Sequence, residues 1–80
     1  MSKLEKLIEK ILNGKNVSYD DAEKILERLG FTLRITASHH IFTKPQYPKP
    51  ISLKKRSQLL KYQIHELQEV LEAHGHKKRD

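Results

Sequence analysis

Leu4, Leu7, Ile8, Ile11 and Leu12 recur at the i, i+3, i+4, i+7, i+8 spacing of one helix face, with Lys and Glu between them. This spacing predicts a first helix over about Ser2–Asn13, stopped by Gly14 in the manner of a C-terminal cap. A helix this short is marginal alone, so its apolar stripe must pack on something. Ser18 with Asp21 three residues later matches a capping box and opens a second helix. Asp20, Asp21 and Glu23 set negative charge in its first turn, where the helix dipole favours it. Its apolar stripe is Ala22, Ile25, Leu26 and Leu29, and Gly30 ends it.

The period then drops to two. Phe31, Leu33 and Ile35 alternate with Thr32, Arg34 and Thr36, which predicts a half-buried strand. After a break at Ala37-Ser38, His39–Lys44 reads as a second strand. Pro45, Pro48 and Pro50 predict a loop, since proline cannot join a central ladder. Ile51–Lys54 alternates again as a third strand. From about Leu60 the helical period returns through Ile64, Leu67, Val70 and Leu71 and ends near Gly75. The order α-α-β-β-β-α predicts an α+β fold, with a three-stranded antiparallel sheet that has helices on one face and solvent on the other. The tail from His76 to Asp80 is expected to fray.

Eighty residues bound this to one domain with a small core. No apolar run approaches the length of a membrane span, and the N-terminus lacks a signal-peptide h-region, so a cytoplasmic protein is the expectation. With no cysteine there is no disulfide framework and no thiolate zinc site.

The net charge of +6 changes the picture because it is concentrated. Residues 1–30 hold six bases and six acids, and residues 64–80 hold three bases and four acids. Residues 31–63 hold seven bases and no acid: Arg34, Lys44, Lys49, Lys54, Lys55, Arg56 and Lys61. An acid-free block of this kind favours a polyanionic partner, nucleic acid first, over a merely solvated surface.

Within that block, Ser38-His39-His40 is the one constellation with chemical potential. Successive strand residues point to opposite faces, so His39, Ile41 and Thr43 oppose His40, Phe42 and Lys44. Phe42 is the better core residue, which turns His39 to the open face. An imidazole can accept and donate a proton near neutral pH. Amid lysines and arginines it suits attack on an RNA phosphate, taking a 2′-hydroxyl proton while cations hold the charge growing on phosphorus. The dipeptide by itself fits a hydrogen-bonded surface histidine better.

No metal site is expected, because adjacent strand histidines diverge and His74 and His76 share no helical face. Ser38 lacks the elbow motif of a hydrolase nucleophile. Tyr47 could stack on a base, although a loop tyrosine more often covers the core edge.

Leu29-Gly30-Phe31, an alternating strand, Ser38-His39-His40-Ile41-Phe42, a proline loop, a third strand and a last helix together resemble the HicA family of small bacterial toxins. The resemblance covers roughly Ser18–Gly75. It divides the single domain into an added N-terminal helix (1–17), a core (18–75) and a basic tail (76–80).

The resemblance implies a fold like the double-stranded RNA-binding domain. It also implies a ribonuclease that cleaves messenger RNA without metal or other cofactor, and a HicB-like antitoxin that covers the site. The family's catalytic histidine falls on His39. Ser38, His40, Arg34, Lys44, Lys54, Lys55 and Arg56 are then the expected RNA-binding residues.

The chain departs from the family pattern in three places. Ala37 replaces the glycine before the serine. Lys54-Lys55-Arg56 stands where many members carry a second histidine. The first helix lies outside the usual core. A non-catalytic RNA-binding module on the same fold, or a protein-interaction domain, are the other readings compatible with the charge block.

Overall fold

A computed structural model describes residues 2–55 and 58–76. Its helices are α1 (Lys3–Leu12), α2 (Tyr19–Arg28) and α3 (Lys61–Ala73), and its strands are β1 (Thr32–Thr36), β2 (His39–Lys44) and β3 (Tyr47–Leu53). The strands form one antiparallel sheet in the order β1-β2-β3. The fold is therefore α+β with the anticipated element order.

The helix ends follow from the local chemistry. Ser18 Oγ accepts from the Asp21 N–H at 3.2 Å, and Asp21 Oδ2 accepts in return from the Ser18 N–H at 3.5 Å. At the other end of α2, Gly30 takes a φ of +96° and Phe31 N–H donates to the Leu26 carbonyl at 3.0 Å. A residue with a Cβ would be strained there, so glycine marks the turn from helix to sheet.

One face of the sheet is covered. Phe42, Ile51 and Leu53 are buried among Ile11 of α1, Ile25 and Leu26 of α2, and Leu67, Val70 and Leu71 of α3. The first helix is thus integral to the core. Its last turn is also tied to α3, where Gln68 Nε2 donates to the Ile11 carbonyl at 2.9 Å. Tyr19 is only 2% exposed and joins the core at the start of α2.

Two expectations need correction. Pro48 and Pro50 lie inside β3, which begins at Tyr47 and not at Ile51. β3 is an edge strand, and half of an edge strand's N–H groups have no ladder partner to lose. A register shift between Phe42 and Lys44 absorbs the irregular pairing beside the prolines.

Ile35 does not follow Phe31 and Leu33 into the core; it is 60% exposed. It shares the inner face with its register partner His40, but at the hairpin end of β1, where the helical layer does not cover it.

Candidate nucleic-acid interface

The register fixes what each sheet face presents. Across β1 and β2 the pairs are Thr32–Thr43, Arg34–Ile41 and Thr36–His39 on one face, and Leu33–Phe42 and Ile35–His40 on the other. Directly paired residues of an antiparallel ladder share a face. β3 adds Ser52 to the first face, opposite Ile41. That face is uncovered: Thr32, Arg34, Thr36, His39, Thr43 and Ser52 are all exposed, and Ile41 is half-buried. Among the described residues it contains no carboxylate.

Phe42 is fully buried, so the parity expected for β2 holds and His39 stands on the open face. Arg34 is its diagonal neighbour, two residues from Thr36 along β1, at a separation long side chains can span. His40–Leu53 is the last pair of the β2–β3 ladder. One step further out, His39 opens β2 and Lys54 follows the end of β3, both exposed. The sheet thus brings His39 and Arg34 to one face, with Ser38 exposed in the adjoining turn and Lys54 exposed just past the end of β3. Lys55 follows Lys54 and is exposed. Arg56, the remaining basic candidate, lies outside the described residues.

The turn delivers His39 in spite of Ala37. Ala37 has a φ of +54°, the left-handed conformation that glycine adopts without strain. The Thr36–His39 pair closes directly across Ala37-Ser38. The alanine therefore keeps the glycine-like turn at a cost of about 1 kcal/mol, which the flanking ladder sustains.

His40 has a different environment. Its Nδ1 lies 2.7 Å from the Tyr19 hydroxyl, and the two rings meet edge to face at 4.9 Å. The same hydroxyl lies 3.3 Å from Glu23 Oε2. A phenol has one proton to give. Either it donates to Nδ1 and His40 keeps its proton on Nε2, or it donates to Glu23 and accepts from Nδ1–H. Burial, then the Glu23 charge, push the Tyr19 phenol up to about 12, so it stays protonated at any physiological pH. No spacing rule links Tyr19 to His40, which are 21 residues apart. The signal in sequence was an aromatic at the first position of an amphipathic helix, facing inward.

Lys44 does not reach the open face. Its Nζ donates to the Leu29 carbonyl at 2.6 Å, at the C-terminal end of α2, and lies 2.9 Å from His74 Nε2. His74 Nδ1 is 2.8 Å from the Val70 carbonyl, which can only accept. Nδ1 therefore carries the proton, and Nε2 is left to accept from the ammonium. Phe31 lies beneath Lys44 at 5.8 Å. Tyr47 packs on Phe31 and His74 at 5.7 and 6.0 Å and covers the core edge. Lys44, expected among the RNA-binding residues, is thus placed as a cation joining α2, β2 and α3, apart from the face that carries His39 and Arg34.

Among the described residues no three His, Asp or Glu side chains gather as a metal site, and no helix is long and apolar enough to cross a membrane. The arrangement offers an exposed imidazole beside cations on a carboxylate-free surface. Such a surface can hold a phosphodiester backbone and move a proton at it.

Residues 19–75, well over half of the chain, match the family model described as the HicA toxin of bacterial toxin–antitoxin systems. None of the curated proteins and none of the solved structures matches the chain.

Proposed function

The chain belongs to the HicA family of bacterial toxin–antitoxin toxins, and on that premise we propose that it is an endoribonuclease acting on messenger RNA through His39. The reading rests chiefly on one observation: His39 is exposed on the sheet face that also carries Arg34 and that, among the described residues, is free of acids.

In the proposed reaction, the neutral His39 imidazole takes the proton of a ribose 2′-hydroxyl. The 2′-oxygen attacks the adjacent phosphorus, and the bond to the 5′-oxygen of the next nucleotide breaks. The leaving oxygen takes a proton from water or from a lysine, for which Lys54, just past the end of β3, is the candidate. The products are a 2′,3′-cyclic phosphate and a 5′-hydroxyl. Arg34, Lys54, Lys55 and Arg56 hold the backbone and the negative charge that grows on the phosphoryl oxygens. Ser38 contributes a contact at the hairpin end, while His40, held on the opposite face by Tyr19, supports the strand that carries His39. The route requires no metal, since proton transfer and charge stabilisation are both met by side chains.

A toxin of this family acts with an antitoxin. A HicB-like partner that presents carboxylates to the basic sheet face would block RNA by occupying the same charges. The action and its inhibition would take place in the cytoplasm, where messenger RNA is.

The test is cleavage of labelled RNA in EDTA by the protein and by His39→Ala. The expected result is 2′,3′-cyclic ends with the parent protein and loss of cleavage with the variant, its fold unchanged. Equal cleavage by a folded His39→Ala protein overturns the assignment. Salt-sensitive RNA binding by both, with no cleavage by either, moves the function to a binding module.

A further inference from the structure

A second surface lies away from the sheet. α1 and α2 enclose a groove of about 960 Å³ to which no strand contributes. All of α1 precedes the stretch matched to the HicA family, so the groove exists because of the added helix. Its floor is Leu4 and Leu7, which the core leaves half-buried. They stand one helical turn apart, about 4.5 Å along the axis. Lys3, Lys6 and Lys10 line the α1 wall, and Lys24 and Arg28 the α2 wall.

Two acids complete the lining, Asp21 and Glu27. Asp21 is committed to the α2 capping box through the Ser18 N–H. Glu27 is exposed and free to take a cation. The groove is therefore apolar below, basic on both walls, and carries one available carboxylate.

We propose that this groove docks an acidic amphipathic helix of a protein partner. Two apolar anchors a turn apart on such a helix would meet Leu4 and Leu7, in the helix-in-groove mode. Glu or Asp on its flanks would meet the lysines of α1 and Arg28, and one basic residue would meet Glu27. Charge complementarity favours this occupant over nucleic acid. A phosphate backbone has nothing to place on a leucine floor, and Glu27 repels it. The surface is independent of the catalytic reading, because none of its residues lies on the sheet.

The test uses the full chain, isotope-labelled for amide NMR. The probe is a synthetic Glu- and Leu-rich helical peptide with Leu at i, i+3 and i+7. Its control is a scrambled peptide of the same composition, in which no apolar face forms. The expected result is saturable movement of the Leu4, Leu7 and Lys24 signals, with binding at least ten-fold weaker for the scramble. The exposed double variant Lys6→Glu/Lys10→Glu and the separate variant Lys24→Glu each weaken binding about ten-fold. Lys54→Glu, past the end of β3 and outside the groove lining, leaves it unchanged. Circular dichroism confirms the fold of each variant. Equal binding of the scramble, indifference to the groove variants, signals moving on the sheet instead, or no saturation overturns the proposal. Movement of the groove signals by a single-stranded RNA oligomer assigns the groove to nucleic acid and overturns it as well.

Discussion

The Tyr19 hydroxyl lies 2.7 Å from Nδ1 of His40, fixing one of two neighbouring histidines while the other stands exposed. Sequence neighbours thus receive opposite roles from strand parity alone. His40 is part of the scaffold that holds β2 to α2, and His39 is the imidazole left exposed on the open face.

This difference separates two alanine variants. His39→Ala removes an exposed side chain from the solvent face and should change stability by less than about 0.5 kcal/mol. His40→Ala breaks the Tyr19 contact and leaves a buried phenol short of a partner, at about 1–2 kcal/mol. Urea denaturation of both proteins checks the contrast; equal losses would contradict the assignment of faces.

Tyr19 makes stability sensitive to alkali. Its phenol is raised to about 12 in the fold from an ordinary 10, so the folded state favours the protonated form. That stabilisation is complete below pH 10 and is lost as pH rises toward about 12. Tyr19→Phe should unfold with a flatter pH dependence across this window. At neutral pH it should be about 1 kcal/mol less stable through loss of the hydroxyl's bonds.

Ala37 sits at a φ of +54° in the turn that delivers His39. Ala37→Gly should relieve the strain and raise stability by about 0.5–1 kcal/mol in thermal unfolding. The Thr36–His39 pairing should persist in its amide exchange pattern. RNA cleavage at least equal to the parent's is expected, because the turn geometry is already the one glycine would take.

Lys44 caps the α2 C-terminus and accepts no ready substitute. Lys44→Met keeps most of the stem but loses the charged bond to the Leu29 carbonyl and the contact with His74. A loss of about 1–2 kcal/mol is expected in chemical denaturation. RNA affinity should fall no more than the lost charge requires, and far less than on replacing Arg34 or Lys54.

Phe42 is the centre of the packed face, fully buried among all three helices. Phe42→Ala should cost about 3–5 kcal/mol, a large share of what an 80-residue domain has. Its thermal midpoint should drop by well over ten degrees.

Most of the element order was legible because it rests on local rules. Periods of 3.6 and 2, a Ser18–Asp21 capping box and glycines after two helices each act within a few residues. Parity placed His39 on the open face for the same reason: it needs only one well-chosen core residue, Phe42. The proline-bearing β3 was misread because a proline's cost depends on whether its strand is an edge, and edge position is a property of the whole sheet.

The sequence by itself determined the helical and extended segments, the acid-free basic block and the face on which His39 lies. Each follows from spacing along the chain. Only the tertiary structure decided which cations remain free. Lys44 was drawn to a helix end 15 residues away and to an imidazole 30 residues away, and His40 to a tyrosine 21 residues away. It also left Ile35 uncovered and opened the α1–α2 groove. These outcomes depend on where the helices end over the sheet, which is set by packing across the core and carries no signature in local periodicity.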